Sequence, residues 1–440
     1  MKKMYSTLLA VVFLQFTAAW GQATFPYIIE KSGSIGMSVY GEADFDQDGF
    51  NDLATTGINN YAYIFSGKDF SLLKALPLSQ HDGENYALTS IDTDLDGFPD
   101  LVVPDEGGVM VYSVKKESAV FYKPFLEHAT AVYRIEDLNG DSVEDILLGG
   151  YPGSVVLSGK DGALIHNLPE PAYYGVILAL EDINNDGVAD IAVSSDRYGS
   201  GGSAGTIGIF SGKDGSRIRT IIGYDGGFAH TMATCPDQDG DAKSDLVVSR
   251  TALDTIYIFS ASSGQVLRKI FNPFGDPGVY GSFMKRFGDL NGDGYDDIII
   301  SDFFNSVDSG SYAAGATFLY SGADFRLINS FYGVQFSYFG LSATVLGDLN
   351  GDGRQEIAIG APGASKVYIF STFTPGDANQ DGRISLADVV VKINYIFRSG
   401  PRPFPMSVAD DDCNGTIDLN DIICAVNYIF KGQTQGCCLK

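Results

Sequence analysis

The chain is poor in the residues that most often carry chemistry. Its 440 residues include five cysteines, four histidines and one tryptophan. Five cysteines are too few for a disulfide scaffold of this length. Four of them, Cys413, Cys424, Cys437 and Cys438, crowd the C-terminal end, where one bridge or two would act as a staple. Cys235 stands alone in a strand-like run and reads as a small buried hydrophobe. The histidines, His81, His128, His166 and His230, share no spacing, and there is no HExxH, no GxSxG and no recurring Cys/His pair. No catalytic residue is assigned. Basic side chains number 29 against 55 acidic ones, and the net charge of −26 excludes a nucleic-acid partner, whose phosphates would be repelled. Past the leader that ends at Ala23, no apolar run approaches the ~20 residues that span a bilayer.

That leader reads as a secretory signal. Lys2 and Lys3 precede an apolar run to Phe16, and the small residues Gly21 and Ala23 fit the positions before a cleavage site. The chain is therefore expected to be secreted, and to work extracellularly or at a cell surface.

What is abundant is one acidic loop in seven copies. They are DFDQDGFND, DTDLDGFPD, DLNGDSVED, DINNDGVAD, DQDGDAKSD, DLNGDGYDD and DLNGDGRQE. They begin at Asp44, Asp92, Asp137, Asp182, Asp237, Asp289 and Asp348, at near-even intervals. A repeat of about 50 residues with several short strands per unit marks a β-propeller with one unit per blade. Oxygen side chains at loop positions one, three, five and nine form a cage for a hard cation, and calcium fits best. Most of the negative charge lies in these loops.

Each unit has the same grammar. An apolar strand enters the loop, and a second leaves it, as in DLATTG or DIIISD. A third carries alternating aromatics, as in YAYIFSG, and an SGKDG-like turn then leads to an outer strand. The seventh unit lacks its outer strand. The segment at residues 24–30 precedes the first inner strand and is expected to pair with the last blade, closing the ring and removing its open edges.

The seventh unit reads Phe339-Gly340-Leu341-Ser342, then an acidic loop, then Gly360-Ala361-Pro362. With its six companions it resembles the FG-GAP repeat of integrin α-subunit heads and of many secreted bacterial proteins, over residues 24–371. The resemblance implies a seven-bladed propeller whose loops bind calcium on one face, through four side chains and the carbonyl of the seventh loop residue. The side chains it implies are Asp44, Asp46, Asp48 and Asp52; Asp92, Asp94, Asp96 and Asp100; and Asp137, Asn139, Asp141 and Asp145. They continue with Asp182, Asn184, Asp186 and Asp190; Asp237, Asp239, Asp241 and Asp245; Asp289, Asn291, Asp293 and Asp297; and Asp348, Asn350, Asp352 and Glu356. Ser142 and Ala242 replace the sixth-position glycine, and Glu356 replaces the ninth aspartate, so altered binding is expected at those three loops.

After a linker at 372–376 the grammar changes. Over 377–440, two near-copies, one opening at Asp377 and the other at Asp410, each place an EF-hand-type loop before one amphipathic helix. The first loop offers Asp377, Asn379, Asp381, the Arg383 carbonyl, Ser385 and Asp388. The second offers Asp410, Asp412, Asn414, the Thr416 carbonyl, Asp418 and Asp421. A loop with a single exiting helix, twice over, resembles a type I dockerin, which implies a cohesin-like partner. The resemblance assigns partner contact to Leu386, Ala387 and Arg398, and to Leu419, Asn420 and Lys431. The expected fold class is an all-β seven-bladed β-propeller plus a small α-helical, EF-hand-like calcium-binding dockerin module, with up to nine calcium ions.

Two long Gly/Ser-rich loops, 194–205 and 301–315, carry Tyr198, Phe303, Phe304 and Tyr312. By strand order they leave the face opposite the acidic loops, where their rings would stack on a polysaccharide or protein ligand. The absent catalytic signature favours a recognition or adhesion protein. The company that dockerins keep leaves a second reading, a tethered polysaccharide lyase or O-glycosyl hydrolase.

Overall fold

The computed structural model describes residues 27–78, 87–105, 108–126, 128–170, 176–195, 205–223, 227–272, 279–290, 294–306, 312–349, 355–371, 376–379, 384–400, 403, 408–412 and 416–432. The signal segment, most of the linker, His81, Tyr198, Asn291, Asp293, Asn350, Asp352, Asp381, Arg383, Asn414, Cys413, Cys437 and Cys438 lie outside the described residues.

The strand that leaves each acidic loop is a short continuous apolar run, which needs cover on both faces. Asp52–Gly57, Asp100–Asp105, Asp190–Ser195 and Glu356–Ala361 are buried along their whole length. The cover comes from stacking sheets around an axis. The described residues form seven four-stranded antiparallel sheets. The first blade runs Ser38–Ala43, Asp52–Gly57, Tyr61–Phe65 and Leu72–Pro77 in sheet order, and the next five follow the same plan.

The seventh blade takes its outer strand from the other end of the chain. Tyr27–Glu30 runs antiparallel to Lys366–Ser371, with Tyr27 opposite Ile369 and Glu30 opposite Lys366. Ile29 is buried with Val367 and Ile369 of the last blade and with Val39 and Leu53 of the first. The expected closure is present. The outer strand of the last blade carries a core residue of the joint between the first and last blades.

The core is not one cluster but a set of layers between blades. Leu178 and Ile207 of the fourth blade pack on Leu246 and Val248 of the fifth. Seven such clusters fill the seven joints. A buried apolar residue wedges each of several joints: Ile35, Phe228, Tyr280 and Phe339. The residue after each turns left-handed: Gly36 at φ 92°, Ala229 at 62°, Gly281 at 85° and Gly340 at 88°. At Gly340 a side chain is barred twice, since a Cβ would lie 2.4 Å from Thr317 Oγ1. Polar stitches complete the joints. Glu136 accepts the Ala189 N–H at 2.8 Å, and the Gly41 N–H reaches Thr344 Oγ1 at 3.0 Å between the first and last blades.

The C-terminal region forms two 13-residue helices, α1 (Leu386–Arg398) and α2 (Leu419–Lys431). Each opens on a capping box, Ser385 with Asp388 and Asp418 with Asp421. The two halves are not equivalent inside. Lys392 of α1 is fully buried with Nζ 2.5 Å from both Asp411 oxygens, whereas the matching positions of the opposite copies hold the buried pair Ala425 and Ala378. Lys392→Met should cost the helical region about 3–5 kcal/mol, because it strands a buried carboxylate. The double variant Lys392→Ala/Asp411→Ala, which repeats the alanine pair, should lie closer to wild type. Denaturant unfolding of the full chain checks the order of the variants.

Candidate metal centres and the opposite face

Each acidic loop is folded by its own carboxylates. The first-position aspartate accepts the N–H of the sixth residue in the first six loops, at 2.7–2.8 Å from Gly49, Gly97, Ser142, Gly187, Ala242 and Gly294. The fifth-position aspartate accepts the N–H two residues on, as Asp48 does from Phe50 at 3.1 Å. This turn is left-handed at two positions, the fourth and the sixth. Gln47, Leu95 and Asn185 take the fourth position at φ 58–62°, followed by Gly49, Gly97 and Gly187. In the third and fifth loops the glycine sits at the fourth position instead, as Gly140 and Gly240, and Ser142 and Ala242 still turn left-handed. The glycine replacements expected to alter binding thus leave the left-handed turn in place.

The ninth-position acid does something the sequence did not announce. In all seven loops it is buried and accepts the N–H of the second loop residue, at 2.6–3.2 Å from Phe45, Thr93, Leu138, Ile183, Gln238, Leu290 and Leu349. The longer Glu356 makes the same bond as the aspartates. In four blades its other oxygen takes the N–H of the turn glycine between the third and fourth strands, Gly67, Gly159, Gly212 or Gly322. That turn therefore sits on the same face as the loop. It approaches so closely that a Cβ on Gly67 would lie 1.9 Å from the Asn51 carbonyl oxygen.

These carboxylates carry more negative charge than the protein neutralises. The oxygens of Asp44, Asp46 and Asp48 gather within 4.8 Å of one another, as do those of Asp92, Asp94 and Asp96, and of Asp237, Asp239 and Asp245. Lysines reach the rim: Lys68 lies 3.5 Å from Asp48, Lys115 lies 3.0 Å from Asp96, and Lys116 pairs with Asp94, which leaves one more carboxylate than lysine even in the second loop. Burial pushes four of the ninth-position acids up: Asp52 to about 7, Asp145 and Asp245 to about 6, and Asp190 in the same direction. The buried Asp245 Oδ1 makes no hydrogen bond of ordinary geometry among the described residues, and only the Ala261 N–H, in the place of the turn glycine, helps to stabilise its charge. An all-oxygen donor set, clustered, under-neutralised and with an under-bonded buried oxygen, suits a hard divalent cation. Such an ion would supply the missing positive charge at these residues.

The helical region repeats the device. Asp410, Asp412 and Asp421 bring their oxygens within 4.8 Å. Asp421 accepts the N–H groups of Asp411 (2.6 Å), Asp412 (3.2 Å) and Asp418 (2.7 Å), and Asp388 accepts those of Asn379 (3.0 Å) and Ser385 (2.7 Å). Ser385 uses its hydroxyl oxygen to cap α1 through the Ala387 N–H. Asp377 is buried, and Thr416 is exposed. Leu386, Ala387, Leu419 and Asn420 are exposed at the two helix starts. Arg398 and Lys431 each lie against the asparagine one turn back, Asn394 and Asn427. The structure adds partners to this surface. Val390 and Phe397 on α1 are more than half exposed, and so are their counterparts in the second copy, Ile423 and Phe430 on α2. Aligning the two copies would have found them.

The opposite face carries the aromatic loops. Phe303 and Phe304 meet at 4.7 Å, and Tyr338 packs edge-on to Phe304 at 5.8 Å. Tyr312 meets Phe336 at 5.9 Å. Phe336 and Tyr338 come from the connection into the seventh blade and were not singled out in the sequence. Both hold left-handed backbone, φ 60° and 51°, fixed by N–H bonds to the Tyr312 and Ala313 carbonyls. Phe303 and Tyr338 border a cavity of about 620 Å³ on the ring axis, which His230 and Lys285 also line. His166 lies elsewhere, with Nε2 2.8 Å from the Gly212 carbonyl oxygen. Cys235 is free and buried, with its thiol pushed well up by burial, and Cys424 is disulfide-bonded.

Residues 339–386 match the FG-GAP repeat. Integrin α chains match more widely: integrin alpha-PS5 of Drosophila melanogaster is 27% identical over 36% of this chain and 17% of its own length. Integrin alpha-3 of Mus musculus is 33% identical over 28% and 12%. The chain spans less than a fifth of these relatives. Among solved structures, BBS1N in its complex with ARL6DN superposes with a TM-score of 0.55 at 12% identity, covering 77% of this chain and 94% of that one, which is a likeness of fold. The ring is thus a seven-bladed β-propeller that carries a match to the FG-GAP repeat and resembles part of integrin α chains. Among the described residues, no helix is long and apolar enough to cross a membrane.

Charge burial gives this site a pH signature. An aspartate whose folded pKa is raised binds its proton more tightly in the folded state. Its protonation therefore favours folding below the folded value and that contribution is lost as pH rises through it. With chelator present, the melting temperature should fall as pH rises from 5 to 8, the window set by Asp52, Asp145 and Asp245. Millimolar calcium should flatten the slope. Thermal scans across that range, with and without chelator, check both.

Proposed function

We propose that this is a secreted, calcium-loaded recognition and adhesion protein. Its propeller presents a polysaccharide or protein ligand site on the face opposite the acidic loops. Calcium occupies up to nine loops, seven in the ring and two in the C-terminal region. The four-residue sets named for the ring loops, and the loop residues flanking α1 and α2, are the ligands in this reading. Calcium at one face holds seven strand-to-strand loops in one shape, and the other face is left free to bind.

One observation carries the reading. Acidic loops and exposed aromatic rings leave opposite ends of the same strands, so one end is built for cations and the other for contact. The similarity to integrin α chains supports an adhesion-type domain.

Residues 377–440 act as a dockerin-like module for a cohesin-like protein in an extracellular or cell-surface assembly. Supporting this, the two helices expose matching apolar rows, Leu386, Val390 and Phe397 beside Leu419, Ile423 and Phe430. Apolar rows of this kind on soluble proteins are usually covered by a partner. The full chain, incubated with its own source's envelope fraction, should retain a partner in calcium and release it in chelator. Combining Val390→Asp with Ile423→Asp should abolish retention without lowering the propeller's melting temperature. Retention unchanged by that pair would remove the docking role.

A further inference from the structure

We infer that the rim of Phe336, Tyr338, Phe304 and Tyr312, with the axial cavity beside it, is a binding site for a neutral glycan. The inference rests on the reading of this face as the ligand-binding one and specifies the ligand class.

The rings are presented at a conformational cost. Bulky residues rarely adopt positive φ, yet Phe336 and Tyr338 both do so, two residues apart. Five hydrogen bonds hold the connection in place: N–H groups of Phe336, Tyr338 and Phe339 to the carbonyls of Tyr312, Ala313 and Ala314, Ser337 Oγ to Ala314, and the Gly363 N–H to Ser337. The result is a fixed set of rings with Tyr312 61% and Phe336 53% exposed. Rigid flat faces of this kind suit the C–H faces of pyranose rings, because little side-chain freedom is lost on contact.

The cavity wall selects for donors. Thr231, Ser282 and Ser342 line it, and each gives its proton to a backbone carbonyl, of Gly281, Ser301 and Gly36 respectively. A hydroxyl whose proton is committed can only accept. The Ser282 oxygen already accepts the Phe303 N–H at 3.3 Å, so the spare acceptor capacity lies on Thr231 and Ser342, and the hydroxyls of a sugar can donate to it where an apolar peptide side chain cannot. Charge narrows the class further. Among the described residues, Lys285 is the one Lys or Arg on the wall and is paired with Glu42, so no free cation is offered there to a polyanion. The net charge of −26, which nine calcium ions would offset only in part, opposes polyuronates as well. A cationic ligand would have to enter beside Lys285.

The test uses the full chain in calcium, on arrays of neutral hexose oligosaccharides, uronic-acid oligosaccharides and extracellular-matrix proteins. Neutral oligosaccharides should be retained and acidic ones not. Phe336→Asn and Tyr338→Asn, which keep a residue tolerant of left-handed backbone, should each weaken retention about tenfold. Phe271→Ala, on an exposed outer strand, should change nothing. Retention of matrix protein alone, lost in the same two variants, would overturn the glycan assignment while leaving a ligand-binding face. Retention of acidic oligosaccharides in preference would overturn the charge argument. No retention of any class would overturn both this assignment and the reading beneath it.

Discussion

A carboxylate taken out of water must be given hydrogen bonds or a cation, and this chain does so seven times around one ring. The ninth residue of each acidic loop is buried against the second residue's N–H, and in four blades against the glycine turn as well. One side chain thus ties the first, second and third strands of a blade at the same end. The bond holds each loop in shape, but it leaves the charge in place. Burial raises Asp52, Asp145, Asp190 and Asp245 above the ordinary aspartate range. A bound divalent ion would resolve that conflict without giving up the hydrogen bonds, and would make fold and cation one problem here.

The consequences run outward from that end of the strands. With the loops fixed, the second strands can be apolar throughout, and the blades meet through seven separate apolar joints. The ring is closed by Tyr27–Glu30, whose Ile29 belongs to the joint between first and last blades. The far ends of the strands are then free to differ. There the blades share a wedge residue and little else, and the connections around Phe304, Tyr312 and Phe336 gather five aromatic rings, of which Phe303 and Tyr338 border the axial cavity.

Much of this was legible in the sequence because it repeats. Seven loops at near-even spacing gave the blade count, and the missing outer strand of the seventh unit pointed to residues 24–30. What was illegible depends on residues that meet only in space. Phe336 and Tyr338 lie in the connection that leads to the wedge Phe339, where the side chains differ from unit to unit, so no alignment of repeats marks them. The role of the ninth acid as a backbone anchor was hidden behind its role in the cation pattern. Lys392 and Asp411 break a repeat that the eye reads as regular, since Ala425 and Ala378 occupy the matching places. Phe397 and Phe430 end the apolar runs of the two amphipathic helices, and only the structure shows that both are exposed.

The count of calcium ions held by the full chain tests the account most directly. After exhaustive dialysis against micromolar calcium, elemental analysis should find several ions per chain, up to nine, and replacing Asp245 with Asn should remove one while the ring stays folded. A chain that retains no calcium, and melts at the same temperature with and without chelator, would contradict the claim that cations neutralise the buried carboxylates.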